Sequence, residues 1–165
     1  MTDIVLYGLL TVAACFDWHL RKIPNALTFP VMITGLCHQW QAGTPWTAIE
    51  GVAGAFLLTL LPVACKGMGM GDQKLLMAFG AWSSWDDVYS LFWHSVLLCL
   101  LAAALLPRTW KRLWANLRKV AIGWRAHRQL WFPGSGQAAF VFPYAVFLLG
   151  AFFVQQLRVW EVLLG

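Results

Sequence analysis

Two carboxylates, Asp17 and Asp72, stand beside long apolar runs. An ionised acid next to a lipid-soluble segment is costly, so residues of this kind mark functional sites. Asp72 lies in Gly69-Met70-Gly71-Asp72-Gln73-Lys74, and Asp17 closes the apolar run Ile4 to Phe16. Two carboxylates brought within hydrogen-bond distance in a partly dry site do not both ionise cheaply. One keeps a proton, and the pair titrates as a unit. Such a dyad has the parts for peptide hydrolysis: the ionised member takes a proton from water while the protonated member polarises the scissile carbonyl. Glycines around Asp72 would let a substrate backbone come close and would permit unusual dihedrals. The same glycines also fit a flexible loop, or helix packing through Gly67-x-x-x-Gly71. No Ser/His/Asp set competes, because His19, His38, His94 and His127 are scattered along the chain.

The elements that must position these acids are apolar helices. The chain has 165 residues, 60% of them hydrophobic and only 12% charged, with eleven Trp and eleven Phe. That exceeds what a soluble core of this size needs, and aromatic residues concentrate at membrane interfaces. The alternating ten-residue segments of a transmembrane barrel are not visible. The expected class is all-α: a polytopic membrane protein forming one domain over residues 1–165. Its spans are predicted at 3–20, 26–41, 46–65, 74–85, 88–106 and 138–157. The fourth is far below the roughly 20 residues of a straight crossing, so it must start below the surface, borrow its flanks or be shielded by neighbours. Pro24 disfavours helix at Ile23, and Asn25 is placed to cap the helix that follows. Gly51, Ala53, Gly54 and Ala55 form a small-residue patch suited to close helix contact.

Residues 108–137 differ in kind. Seven Lys and Arg accompany Trp110, Leu113, Trp114, Leu117, Val120, Ala121 and Trp124 at helical spacing. This reads as a basic amphipathic helix on anionic lipid, with a solvated basic loop as the alternative. Assigning the Arg21/Lys22 connector to the cytoplasm places eleven of the twelve Lys and Arg inside and leaves only Arg158 outside. The positive-inside rule then puts both termini outside, and Asp17 and Asp72 at the cytoplasmic ends of their helices. Basic residues that punctuate apolar runs are a topology signal, so no nucleic-acid partner is expected. Cys15, Cys37, Cys65 and Cys99 are widely separated. They read as small hydrophobes packed within or beside membrane helices, with no metal site. The N-terminus, with Asp3 and no basic n-region, does not read as a cleaved signal peptide.

Three motifs resemble those of the prepilin peptidases, membrane aspartic proteases that process type IV pilin-like precursors. Asp17 followed by Ile23-Pro24-Asn25 is similar to the family's Asp-x5-Ile-Pro-Asn. Gly69-Met70-Gly71-Asp72-Gln73-Lys74-Leu75, continuing to Gly80-Ala81-Trp82, is similar to Gly-x-Gly-Asp-x-Lys-Leu. Pro143-Tyr144 resembles the late Pro-Tyr-Gly, with Phe142 and Ala145 where family members commonly carry Ile and Gly.

The resemblance implies a bacterial inner-membrane endopeptidase without cofactor, in which Asp17 and Asp72 are the catalytic pair. It implies that a precursor with a short basic leader is cut after a glycine, at the cytoplasmic face. Gly69, Gly71, Lys74, Pro24, Asn25, Pro143 and Tyr144 would bind substrate or shape the site. Lys74 either holds Asp72 or an acidic substrate residue, or anchors the helix at a headgroup. Pro143 and Tyr144 either kink the last span and shape the groove, or make an ordinary kink with an interfacial Tyr. The cysteine pair of the family's methyltransferase insert is not in this sequence, so the compact, peptidase-only form is expected, without N-methylation. Two other classes are a small transporter using the acids as proton or cation sites, and a non-catalytic assembly subunit. A polar path through the spans would mark the transporter, and cleavage by Asp→Asn variants would remove the dyad.

Overall fold

A computed structural model describes residues 2–65, 67–105 and 143–164, with side chains in the last helix through 157. Among the described residues every regular element is helical: α1 (Thr2–Leu20), α2 (Asn25–Gln41), α3 (Pro45–Ala64), α4 (Met70–Gly80), α5 (Trp85–Leu105) and α6 (Tyr144–Leu164). The basic segment 108–137 and the start of the last predicted span lie outside the described residues. α1, α3 and α5 are each long and apolar enough to cross a membrane. Large apolar side chains such as Ile4, Leu57, Leu61 and Leu105 face outward. Such a surface suits lipid rather than water, and the chain is a helical membrane protein.

α4 sits within the bundle. Its 11 residues rise about 16 Å at 1.5 Å per residue, too little to cross a bilayer. Burial replaces length: Leu75, Leu76, Ala78 and Phe79 are shut off from solvent by α2, α3 and α5. Of the ways the sequence left open for a short helix, shielding by neighbours is the one this bundle uses. The helix also begins earlier than its predicted span. Gly69 is its N-cap, so Met70 to Gln73, expected in the connector, form its first turn.

Glycines set how closely the helices approach. Gly51 of α3 and Gly80 of α4 face one another so tightly that a β-carbon on either would overlap the other's carbonyl. Gly54 receives the ring of Trp85 in the same way. Gly51, Gly54 and Ala55 of the small-residue patch are thus buried as expected, whereas Ala53 is exposed. Trp82, just after α4, donates from Nε1 to the Val31 carbonyl of α2 at 2.8 Å and stacks on His38 at 5.0 Å between ring centroids. The Gly80-Ala81-Trp82 end of the second motif therefore fixes α4 between α3 and α2.

On α1 the buried residues are Leu6, Leu9, Leu10, Ala13, Ala14 and Asp17. They recur at the three- and four-residue spacing of one helix face, so Asp17 is the last member of the packed stripe. α1 lies mainly along α6, where Tyr7 meets Phe152 edge to face at 4.7 Å. α6 continues onto α5, and α3 joins α5 to the α2–α4 group. The helix ends after Asp17 by a turn at Arg21, whose φ of 50° is left-handed and costs a side-chain-bearing residue on the order of 1–2 kcal/mol. That turn directs Ile23 back towards α4.

Candidate active site

Asp17 and Asp72 come from the C-terminal end of α1 and the first turn of α4. Asp17 is only 8% exposed. Its Oδ2 accepts the backbone N–H of Ala145 at 3.0 Å. Ala145 is the second residue of α6, where helical N–H groups have no acceptor within their own helix. The positive end of the α6 dipole is thus aimed at the Asp17 carboxylate. Asp72 occupies the equivalent place on its own helix, three residues past the Gly69 cap, and takes a backbone hydrogen bond from Gly69. Two helix N-termini therefore serve the two acids.

The acids also feel one another. The Asp72 carboxyl is pushed up to about 7, first by burial and then by the negative charge of Asp17, with the Gly69 hydrogen bond opposing both. This is the behaviour expected of two acids competing for one proton. The charge of Asp72 also reaches Cys99 on α5 and Tyr144 on α6, which places both around the same point.

The first two motifs meet directly. A β-carbon at Gly71 would lie 3.3 Å from the Ile23 β-carbon and 3.6 Å from its backbone nitrogen. Gly71 thus lets the Ile23-Pro24 connector rest against the start of α4. At Gly69 the close neighbour is Asp72 Oδ2, 3.1 Å from where a β-carbon would stand. Neither glycine needs an unusual dihedral. Gly69 is extended with φ −76° and ψ 146°, and the left-handed glycine among the described residues is Gly43. Close packing, rather than backbone freedom, accounts for their type.

Asn25 does not cap α2. The cap position is Pro24, no side chain bonds there, and Asn25 Oδ1 instead accepts from Lys74 Nζ at 2.9 Å. Lys74 is also 5.4 Å from the centre of the Phe29 ring. The described partner of Lys74 is therefore the first motif rather than the Asp72 carboxylate. Pro143 immediately precedes α6; among the described residues, the prolines inside helices are Pro30 and Pro62. Tyr144 is 2.6 Å from Ser95 Oγ of α5.

All nine sequence-predicted site residues gather at one end of the bundle. Ser95 and the Ala145 backbone were missed. A lone serine in an apolar helix is a weak sign, and a backbone donor carries no residue-type signal at all. A cavity of about 270 Å³ bounded by Thr2, Asp3, Trp82, Ser83 and Asp87 lies at the other end of α1, so it belongs to a different region from the acids. No group of three or more metal-binding side chains occurs among the described residues.

An all-helical membrane bundle with two interacting acids at one end defines a class, that of intramembrane carboxylate-pair proteins. The family comparison narrows it: the model of the type IV leader peptidase family matches residues 4–105, and the chain belongs to that family. It is 35% identical over 93 residues to a prepilin leader peptidase/N-methyltransferase of Klebsiella pneumoniae, covering 50% of this chain and 40% of that protein. A protein of the same name from Burkholderia pseudomallei strain K96243 is 32% identical over 117 residues, covering 64% and 37%. One from Neisseria gonorrhoeae is 30% identical over 109 residues, covering 61% and 38%. The chain thus spans about two fifths of the length of these relatives. No solved structure matches it.

Proposed function

We propose that the chain is an aspartic endopeptidase that removes the leader peptide from type IV pilin-like precursors, with Asp17 and Asp72 as its catalytic pair. The observation that carries this reading is the convergence of Asp17, held by the Ala145 N–H at 3.0 Å, and the buried Asp72 carboxyl that feels its charge, where Gly71 packs against Ile23. The pair holds one proton near neutrality. That proton sits on Asp72, and Asp17 is the ionised member, its Oδ2 held by the Ala145 N–H. Asp17 takes a proton from a water as the water oxygen bonds to the scissile carbonyl carbon. Asp72 gives its proton to the carbonyl oxygen. Collapse of the tetrahedral species breaks the C–N bond: the amine leaves with the proton that Asp17 took, and one hydroxyl proton returns to Asp72 as the product carboxylic acid forms.

The substrate is a membrane precursor with a short basic leader, cut at its junction with an apolar helix. Placement at the cytoplasmic face of a bacterial inner membrane, with six spans and both termini outside, rests on the distribution of Lys and Arg. The 108–137 segment is read as the lipid-binding part, touching anionic headgroups. The assignment is confined to the peptidase half of the relatives' names, which is the chemistry the two carboxylates support. Gly69, Gly71, Pro24, Asn25 and Lys74 hold the two motifs against each other.

The test is to incubate the purified protein with a pilin-type precursor in detergent or liposomes and to follow leader loss by mass. Cleavage by wild type, and its loss in Asp17→Asn and in Asp72→Asn, is the expected result. An intact precursor under conditions where an established leader peptidase cuts it would refute the activity, and cleavage by either variant at the wild-type rate would refute the dyad.

A further inference from the structure

Ser95 lies on α5 with 0% exposure, among Val88, Leu91 and Phe92 on the packed face of the helix. Its Oγ donates to the Phe92 carbonyl at 2.7 Å and stands 2.6 Å from the Tyr144 hydroxyl. A serine hydroxyl has a single hydrogen. With that hydrogen directed at Phe92, Tyr144 must be the donor and Ser95 Oγ the acceptor. Tyr144 is the first residue of α6, and the next residue, Ala145, supplies the N–H on Asp17 Oδ2. Hydrogen bonds from the α5 backbone through Ser95 thus reach the Tyr144 side chain, and Tyr144 is joined by its own peptide bond to Ala145, whose N–H bonds Asp17.

We propose that Ser95 is a positioning residue for Asp17, acting through Tyr144 by fixing the first turn of α6 so that the Ala145 N–H holds the carboxylate. The inference rests on the proposed role of Asp17. Its physical basis is that helix ends fray, and the N–H groups of the first turn of α6, which starts at Tyr144, have no acceptor within their own helix. The side chain of the first residue is then the available means of fixing that turn from outside. Ser95 adds little to packing that an alanine would not. Its oxygen has two described partners, Phe92 of its own helix and Tyr144, and only Tyr144 links α5 to another element. The arrangement also accommodates alanine at 145, because the contact with Asp17 is made by backbone.

The test measures precursor cleavage by Tyr144→Phe, Ser95→Ala, Ser95→Thr and Ser95→Val, beside Asp17→Asn. Thr and Val add nearly the same bulk at position 95 and differ in the hydroxyl, so their contrast isolates the hydrogen bond from any effect of size. Tyr144→Phe and Ser95→Ala are expected to lower kcat about tenfold, the equivalent of one modest interaction lost in the transition state, with KM within about twofold. Their double variant should be no slower than either alone, as for residues acting in one unit. Ser95→Thr should recover most of the wild-type kcat, and Ser95→Val should not. Wild-type kcat in Tyr144→Phe, equal kcat in Ser95→Thr and Ser95→Val, or a double variant slowed by the product of the single effects would each overturn the proposal. If Asp17→Asn itself cleaves at the wild-type rate, it is the dyad that has failed, and the two failures are thereby told apart.

Discussion

Asp17 and Ala145 are 128 residues apart in the chain, yet the amide of one donates to the carboxylate of the other at 3.0 Å. The contact turns the N-terminus of α6 into a support for an acid at the far end of α1. Asp72 has a similar support from Gly69 at the start of its own helix. Two carboxyl groups that share one proton can occupy a buried site when each is met by a fixed dipole, and this pairing of acids with helix N-termini is the organising feature of the site.

If the two acids work as one unit, the loss from Asp17→Asn should equal the loss from Asp72→Asn. Each should lower kcat by a hundred- to ten-thousand-fold, about the range for a positioned acid or base. The double variant should be no worse than either single one. Initial rates of precursor cleavage for the three variants check this, and losses that multiply would mean that the acids act separately.

The raised carboxyl of Asp72 sets a pH limit. Activity should fall as pH rises through about 7, because the proton donated to the carbonyl oxygen is lost. The same group affects stability. The folded state holds this proton up to about pH 7, whereas an unfolded chain releases it near the ordinary value of 3.8. The contribution to stability is therefore fully present below 3.8 and is lost as pH rises through about 7. Asp72→Asn, which cannot ionise, should flatten the dependence of thermal midpoint on pH between 4 and 7. A wild-type midpoint that rises across that window would contradict the assignment.

Close packing of α3 on α4 is tested at Gly51 and Gly80. Gly51→Ala or Gly80→Ala sets a β-carbon into backbone, which no side-chain rotation relieves, and overpacking of this kind costs about 1–3 kcal/mol. A lower thermal midpoint in detergent is expected for both. Gly8→Ala on α1 has no atom within 4 Å of the new carbon and should leave the midpoint unchanged or slightly raised. Equal behaviour of the three variants would remove the packing argument.

The Lys74–Asn25 hydrogen bond predicts coupling between the two motifs. It is solvent-exposed, so a double-mutant cycle of Lys74→Met and Asn25→Ala should show a coupling on the order of 0.5 kcal/mol in unfolding. Strictly additive effects would make Lys74 a headgroup anchor instead.

Much of the architecture was legible because it depends on composition. Apolar runs broken by Pro, Gly and charge mark helices and connectors, and the seven further candidate residues besides the two acids came from local motifs. What stayed hidden was direction. In a helix that meets lipid on one side and protein on the other, both sides are apolar, so the stripe from Leu6 to Asp17 cannot be separated from the outward face containing Ile4 and Val12. Helix starts were uncertain for a related reason. At Gly69 no capping side chain announces the helix, and glycine reads as loop until its close neighbours are known.

The sequence by itself determined the membrane class, the two acids and the order of the motifs, since lipid solubility and residue type are local properties. Only the tertiary structure decided that α4 is shielded by its neighbours, that Gly71 admits Ile23, that Lys74 turns to Asn25, and that Asp17 is held by α6. Each of these depends on which surfaces meet. Backbone donors such as the Ala145 N–H are present at almost every position, so their use at one acid becomes visible only when the helices are packed.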